Sequence, residues 1–342
     1  MAKPLLSFVI PCYRSARTIR AVVRELTDTL AARKDGYDHE IILVNDGSPD
    51  DTARVLSELC GEFPAVTFVD LSRNFGQHSA LMAGFRQVRG DVVICLDDDG
   101  QTPANECFKL IDKLAEGYDI VFAQYGERKQ NAFRNLGSRF NAACNHFFFG
   151  QPKGLSVNSY FACRRFVVDS ALQYPNPFPY VTGLLFQSVS RYANVRVSHR
   201  ERLEGESGYS LKKLISLWAN GVTAFSIKPL RLASYVGWAT AAGGFVFALI
   251  TIVRKLVNPD MQAGWASTIA VLLVIGGVII ALMGIVGEYI GRIYLSINRY
   301  PQYVVRSVTR GAASGDRPAP PAAPGKESEA MASEEHSCGL GA

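Results

Sequence analysis

Hydrophobic positions over residues 1–125 alternate between short continuous runs and stretches with helical spacing. Runs such as Ile41 to Val44 are apolar on both faces, as are strands buried in a parallel sheet. The pattern predicts strands near Leu6 to Ile10, Glu40 to Val44, Val66 to Val69, Asp91 to Leu96 and Ile120 to Ala123. It predicts helices near Arg17 to Arg33, Asp51 to Glu62, Gln77 to Val88 and Pro103 to Glu116. We therefore expect an α/β fold with a mostly parallel sheet and right-handed crossovers.

The chain is irregular from Arg128 to Pro179, where we expect loops and short helices. Apolar residues then fall on one stripe at helical spacing between Ser210 and Ser226, including Leu214 and Trp218. This pattern favours a helix that lies in a membrane interface, with a core helix of a soluble domain as the alternative.

Two long uncharged runs follow, Leu232 to Val253 and Ala266 to Gly287. Each has about the ~20 residues that a bilayer-spanning helix needs. Two spans place both flanking parts of the chain on one side of a membrane. Only Arg254 and Lys255 lie between the spans, whereas the flanks contain more basic residues. Those in the flanks are Lys212, Lys213, Lys228, Arg231, Arg292, Arg299 and Arg306. The positive-inside rule then predicts an inner or plasma membrane protein whose larger domain is cytoplasmic.

The second run carries small residues that allow close helix packing, at Gly277, Ala281, Gly284, Gly287 and Gly291. Glu288 precedes Arg292 by four residues, an order that favours an ion pair on a helix. We predict a cytosolic α/β domain over 1–208, an interfacial helix over 209–230, transmembrane helices over 231–255 and 265–292, and a disordered tail over 310–342.

The net charge of +5 is not concentrated in one block, and basic and aromatic residues are not interleaved on one face. The chain therefore has no nucleic-acid-binding motif, and contact with anionic phosphates or lipid headgroups is the better interpretation. None of the seven cysteines forms a Cys-x-x-Cys pair, which indicates reduced thiols.

Polar residues cluster where the predicted strands end, and the sharpest cluster is the run Asp97-Asp98-Asp99. Alternation in an extended segment would direct Asp97 and Asp99 to one side and Asp98 to the other. Two carboxylates on one side suit a hard cation, Mg²⁺ or Mn²⁺, which can bridge diphosphate oxygens. The alternative is an acidic turn surrounded by solvent.

Four runs taken together resemble the inverting glycosyltransferases of family 2, which have the nucleotide-binding fold called GT-A. They are Phe8 to Tyr13, Val44 to Ser48, Ser72 to Gly76 and Asp97 to Gln101. The Arg-Asn-Phe-Gly run and the two spans narrow the resemblance to the polyprenyl-phosphate glycosyltransferases, the group that includes bactoprenol glucosyltransferase and dolichyl-phosphate mannose synthase. The resemblance implies transfer of a sugar from a nucleotide-diphosphate sugar to polyprenyl (undecaprenyl) phosphate. A UDP-sugar is preferred and GDP-mannose stays open.

The resemblance also implies roles for individual residues. The donor-binding candidates are Pro11 and Tyr13 at the nucleotide, Asp46 at the base, and Asn74, Gly76 and Asp98. The catalytic candidates are Asp97, Asp99, Gln101 and Arg202, with Asp97 and Asp99 also binding the metal and Gln101 near a phosphate. The candidates for phosphate or acceptor binding are Arg128, Arg202 and Ser207. With the small-residue stripe, the resemblance further implies a homo-oligomer that contacts membrane lipids.

The chain departs from the family pattern in two places. Gly100 stands where the family usually has leucine, and residues 156–160 lack the acidic residue that can deprotonate a hydroxyl acceptor. A phosphate acceptor removes the need for such a base, because a phosphomonoester with a second pKa near ~6 is already largely anionic.

Two other functions fit the sequence less well. A processive polysaccharide synthase would carry Gln-x-x-Arg-Trp, whereas the nearest run, Gln187 to Tyr192, has one residue too many and ends in tyrosine. A non-catalytic membrane scaffold is disfavoured by the intact Asp97 and Asp99.

Overall fold

The computed structural model describes residues 3–33, 36–125, 154–198, 200, 228–258, 264–298 and 300–312. Its strands are β1 (Leu5–Cys12), β2 (Asp38–Asn45), β3 (Val66–Leu71), β4 (Val92–Cys95), β5 (Ile120–Tyr125), β6 (Phe161–Arg164), β7 (Tyr192–Val197) and β8 (Val305–Arg310). Its helices are α1 (Ile19–Ala32), α2 (Thr52–Glu62), α3 (Gln77–Phe85), α4 (Cys107–Ala115), α5 (Arg165–Ala171), α6 (Val181–Gln187), α7 (Lys228–Val257) and α8 (Trp265–Ile297).

One mixed sheet has the strand order β7-β5-β6-β4-β1-β2-β3-β8. Its centre is parallel, with β1 between β2 and β4 and with β3 beside β2. The side chains of β1 to β4 are almost all buried, which explains their continuous apolar runs. The predicted α/β class and mostly parallel sheet are confirmed, together with all five predicted strands.

Two strands run antiparallel to their neighbours. Strand β6 lies between β4 and β5, and it falls in the region predicted as loops and short helices. That prediction was wrong for Phe161–Arg164, because a strand of four residues is too short to show a period. Strand β8 pairs with β3 at the edge of the sheet.

Strand β8 follows the two apolar helices in the chain and belongs to the same compact unit as the sheet. Besides the strand ladder, the Ser72 N–H donates to the Val304 carbonyl and the Gly311 N–H to that of Val66, both at 2.9 Å. The tail predicted to start at residue 310 therefore begins too early, because Arg310 is in the sheet. Residues 313–342 of that tail lie outside the described residues.

A second unit contains α7 and α8. Both helices are long and apolar enough to cross a membrane, over Lys228–Arg254 and Val274–Ile297. Their large apolar side chains are exposed, for example Trp238 at 78% and Ile280 at 73%. Such a surface is unfavourable in water and is suited to lipid. The predicted interfacial helix lies outside the described residues, except for the first turn of α7.

Within α8, Arg292 binds Glu288 at 2.9 Å, as predicted. The glycine stripe does not pack as expected inside one chain. A Cβ at Gly277, Gly284 or Gly287 would meet no described atom within 4 Å, whereas one at Gly237 of α7 would contact Leu282 at 3.9 Å. Whether the stripe packs against a second copy stays a prediction.

Candidate active site

The loop after β2 is fixed by Asp46. One carboxylate oxygen accepts the Phe75 N–H at 2.7 Å and the other accepts the Gly76 N–H at 2.9 Å. The Asp46 carbonyl accepts the Asn74 side-chain amide at 3.1 Å. Burial raises the pKa of Asp46, and the two N–H groups oppose that rise. Asp46 therefore joins two of the sequence runs singled out above, directly before α3.

The same two runs touch at Gly47. Its φ of +60° is in the left-handed region, and a Cβ there would lie 2.2 Å from the Arg73 carbonyl carbon. Any other residue would push the loops apart, since a side chain has no space and the backbone conformation suits glycine. The Asp-Gly pair is thus needed for the close approach of the β2 and β3 ends.

The aspartate run does not continue β4 in extended form. The strand ends at Cys95, Asp98 and Asp99 lie in a turn, and Gly100 has φ of +69°. The prediction that the aspartates lie in an extended segment with alternating side chains was therefore wrong. The turn arises because glycine adopts a left-handed conformation readily and because Asp99 accepts the Gln101 N–H at 3.0 Å.

Asp98 nevertheless has different hydrogen-bond partners from Asp97 and Asp99. Its carboxylate accepts the Tyr13 N–H at 3.2 Å and the Ser15 hydroxyl, so it fastens the loop after β1. Burial raises the pKa of Asp98, and the hydrogen bonds from Ser15 and Tyr13 oppose that rise. In this structure the Asp98 carboxylate contacts the protein itself, and its donor-binding role stays a prediction.

The charges of Asp97 and Asp99 both act on the hydroxyl of Tyr125. The pKa of Tyr125 is raised first by burial, while a hydrogen bond with Thr102 lowers it and the charges of Asp97 and Asp99 raise it. Asp97 is also oriented by the Gln77 amide at 3.3 Å and by the Ser159 hydroxyl. Two carboxylates therefore share one region, between the end of β4 and the end of β5.

These two carboxylates fit a hard divalent cation. No group of three or more His, Cys, Asp or Glu side chains with metal-binding geometry occurs in the part of the chain that the structure describes. Two carboxylates are enough for Mg²⁺, which keeps several waters and binds substrate phosphates in such sites. These two carboxylate ligands suit a cation that binds together with a diphosphate. They suit a cation fully enclosed by protein ligands less well.

The segment that lacks an acidic residue lies beside Asp97. Asn158 donates to the Ala123 carbonyl at 2.5 Å, and Ser156 is bound at both its N–H and its carbonyl by Asn194. With Ser159 bound to Asp97, the segment is held firmly and presents amides and hydroxyls. It offers no carboxylate to deprotonate an acceptor.

The other predicted site residues are only partly described. Tyr13 is exposed, whereas Pro11 is in β1. The Gln101 carbonyl accepts the Arg200 N–H at 2.7 Å. Arg128, Arg202 and Ser207 lie outside the described residues, so their predicted phosphate contacts have no geometry here.

Three positioning side chains were not predicted from the sequence: Ser15, Gln77 and Ser159. Gln77 directly follows the Arg-Asn-Phe-Gly run and is the first residue of α3. That position was the one feature of the sequence that could have identified Gln77 as a site residue. Ser15 and Ser159 reach the aspartates through contacts between segments 83 and 62 residues apart. Such contacts leave no local pattern.

The chain resembles several known proteins. Residues 7–172 match glycosyl transferase family 2, and residues 228–293 match the GtrB C-terminal hairpin. The chain is 37% identical over 328 residues to the undecaprenyl-phosphate 4-deoxy-4-formamido-L-arabinose transferase of Pseudomonas fluorescens, covering 93% of this chain and 92% of that protein. It is 32% identical over 307 residues to the uncharacterized glycosyltransferase YkcC of Bacillus subtilis, covering 88% and 93%.

Among solved structures, glucosyl-3-phosphoglycerate synthase from Mycobacterium tuberculosis is 21% identical with a TM-score of 0.48, over 65% of this chain and 79% of that one. The similarity to these relatives shows that the chain belongs to glycosyltransferase family 2, and its residues 228–293 match the GtrB C-terminal hairpin. It is a glycosyltransferase of the polyprenyl-phosphate type.

Proposed function

We propose that this enzyme transfers one sugar from a nucleotide-diphosphate sugar, preferably a UDP-sugar, to undecaprenyl phosphate at the cytoplasmic face of the membrane. The observation that carries the proposal is the composition of the site. Asp97 and Asp99 can bind a divalent cation that in turn binds the donor diphosphate, while the segment 156–160 beside Asp97 has no carboxylate base. An acceptor that is already anionic fits that combination. Similar relatives from Pseudomonas are undecaprenyl-phosphate 4-deoxy-4-formamido-L-arabinose transferases, which supports the same acceptor.

The enzyme's own residues then have mainly to align the substrates and stabilise charge. Asp46 holds the loop 74–76 at the start of α3, and Asp98 holds the loop after β1, so both walls of the donor site are preorganised. Gln77 and Ser159 fix the direction of the Asp97 carboxylate. Direct attack of the acceptor phosphate on the anomeric carbon inverts its configuration, and positioning of this kind supplies much of the rate.

Asp97 and Asp99 would hold the Mg²⁺ or Mn²⁺. The bound cation would neutralise charge that develops on the departing diphosphate. Gln77 and Ser159 keep the Asp97 carboxylate oriented before the donor arrives, so little reorganisation is needed when it binds.

The arrangement of the chain supports a two-span topology. The sheet contains segments from both sides of the apolar hairpin, because β8 pairs with β3. An even number of crossings is needed for this pairing, and two candidate spans satisfy it. Lys228, Arg231 and Arg306 flank the spans on the side of the sheet, which favours the cytoplasm for that side. The acceptor's phosphate lies at the membrane surface on the same side.

The test is product formation by the full chain in detergent, with undecaprenyl phosphate and a panel of UDP- and GDP-sugars. Each reaction is run with Mn²⁺, with Mg²⁺ and with EDTA. We expect a lipid-linked monosaccharide with one donor and a divalent metal, and none with EDTA. A polymeric product would instead favour the polysaccharide synthase, and activity in EDTA equal to that with metal would contradict the metal site.

A further inference from the structure

Arg14 has an unusual backbone conformation for its residue type. Its φ of 59° is in the left-handed region, and it is the one residue other than glycine with positive φ in the described ranges. A Cβ makes this region unfavourable, and only glycine, and to a lesser extent asparagine, visits it routinely. Backbone strain of this kind persists where the surrounding structure enforces it, and it occurs often at functional sites.

The neighbouring loops enforce the conformation through three backbone N–H groups. The Arg14 N–H donates to the Ser48 hydroxyl at 3.2 Å and the Ser15 N–H to the Thr52 hydroxyl at 2.9 Å. On the other side, the Tyr13 N–H donates to Asp98 at 3.2 Å. The turn is therefore fastened both to the loop after Asp46 and to the aspartate turn. Arg14 lies at its apex, between the proposed base-binding and metal-binding sides of the donor site.

The Arg14 side chain is exposed and available. Its guanidinium carbon lies 5.5 Å from the centroid of the Tyr13 ring, a cation–π contact. No carboxylate in the described ranges forms an ion pair with Arg14, although Asp98 lies close to the same turn. A guanidinium at the carboxyl ends of parallel strands, where ligands of such sheets bind, suits a phosphate group.

On the basis of the proposed function, we infer that Arg14 binds a phosphate group of one of the two substrates. The group is either the diphosphate of the donor or the phosphomonoester of the polyprenyl acceptor. The contact with Tyr13 holds the guanidinium over the site while it awaits the phosphate. The strained backbone is retained because an asparagine or glycine in its place would relax the turn and lose that cation.

Replacing Arg14 distinguishes a phosphate-binding role from a structural role. The first predicts weaker phosphate binding without a loss of stability, and the second predicts a lower melting temperature. Arg14→Gly removes both the Cβ and the guanidinium, and Arg14→Asn keeps a side chain that tolerates the conformation. We expect both variants to melt at the same temperature as the wild type or higher. We also expect each to weaken phosphate binding on the order of tenfold or more, since a charge-assisted hydrogen bond is lost. Arg14→Lys, which keeps charge without the fork, should retain part of the binding.

The measurements use the full chain in detergent. They are thermal unfolding, calorimetric titration with UDP and with GDP in the presence of Mg²⁺, and KM values for donor and undecaprenyl phosphate. Arg24→Asn, on the exposed face of α1, is the matched control for loss of one positive charge. Weaker nucleotide binding with a raised donor KM assigns Arg14 to the diphosphate. A raised KM for undecaprenyl phosphate alone assigns it to the acceptor.

Two results would overturn the inference. One is an Arg14→Gly enzyme whose nucleotide binding and both KM values equal those of Arg24→Asn. The other is a variant that melts well below the wild type and loses kcat with unchanged KM values, which would make Arg14 a structural residue. Both are distinguishable from failure of the proposed function, in which the wild type itself forms no lipid-linked sugar.

Discussion

Arg306 and Asp70 form an ion pair in which the guanidinium and carboxylate atoms are 3.3 Å apart. Asp70 also accepts the Asn45 side-chain amide at 2.7 Å, and Asn45 accepts the Ser48 N–H at 3.1 Å. A residue that follows the second apolar helix is thereby connected to the loop after β2. The sheet domain of this chain thus includes a segment from beyond the hairpin. The ion pair itself contributes little to stability, because the Arg306 side chain is largely exposed to solvent.

Removal of β8 should therefore destabilise the catalytic domain. A chain truncated after Tyr300 loses the strand ladder with β3 and exposes a sheet edge. We expect its melting temperature in detergent to fall by several degrees, since each 1 kcal/mol shifts it by roughly 2–4 °C in a domain of this size. A chain truncated after Ala312 keeps β8 and is the control. Equal melting temperatures for the two truncations would show that β8 adds nothing.

The three adjacent aspartates should separate into two classes on mutation. Asp97→Asn and Asp99→Asn remove one of two carboxylates that share a region. The weaker repulsion offsets the weaker hydrogen bonds from Ser159, Gln77 or Gln101, so the stability of the fold should change little. Turnover should drop on the order of 10²–10³-fold, and more Mn²⁺ should be needed for half-maximal rate. Asp98→Asn replaces a carboxylate that accepts the Tyr13 N–H and the Ser15 hydroxyl, so its melting temperature should fall.

Metal titrations and thermal unfolding on all three variants check this separation. The account is contradicted if Asp98→Asn shifts the metal dependence as strongly as Asp99→Asn does. It is equally contradicted if Asp97→Asn unfolds at a much lower temperature while it keeps its metal dependence.

His78 should make folding sensitive to mild acid. Its ring is partly exposed and packs edge-on against Tyr180 at 5.1 Å, but its Nδ1 atom is buried with no hydrogen-bond partner among the described residues. Burial lowers the pKa of His78 from 6.5 to about 4. Protons then bind the unfolded chain more tightly, so the stability is complete above pH 6.5 and is lost as the pH falls toward 4. By pH 5 the free energy of unfolding should be lower by about 2 kcal/mol.

Urea unfolding at pH 7 and pH 5 measures that loss. His78→Phe keeps an aromatic contact with Tyr180 and cannot titrate, so its stability should fall less between the two pH values. Burial also lowers the pKa of His39, so some loss should remain in this variant. An identical pH dependence in wild type and His78→Phe would mean that His78 titrates normally.

Much of the fold was predictable because the central strands are buried on both faces and leave continuous apolar runs. Strand β7 was missed because most of its residues are only half-buried and include Asn194 and Arg196. Strand β8 was missed because all six of its residues are exposed, and its partner lies more than 200 residues away in the chain. Such edge strands are stabilised by backbone pairing, which the side-chain pattern does not record.

The sequence allowed the candidate site to be placed at the carboxyl ends of the strands. Asp46 and Asp97 were singled out as candidates because the carboxyl ends of parallel strands lie at one edge of the sheet. The turn at Asp98 was missed because Gly100, noted only as a departure from the family pattern, ends the extended segment. The contacts of Gln77 and Ser159 with Asp97 arise from tertiary packing and have no signal in the local sequence.

The most direct test of the central claim compares undecaprenyl phosphate with undecaprenol as acceptor, using the donor and metal that support the highest activity. Residues 156–160 supply no carboxylate, and the account assigns Asp97 and Asp99 to the metal, so we expect no carboxylate to be available to activate the hydroxyl of an acceptor that lacks a phosphate. Mass spectrometry of the lipid products should show a sugar joined to undecaprenyl phosphate and no glycosylated undecaprenol. Equal transfer to undecaprenol would contradict the account, because it would require a base that the account does not assign to any residue of this site.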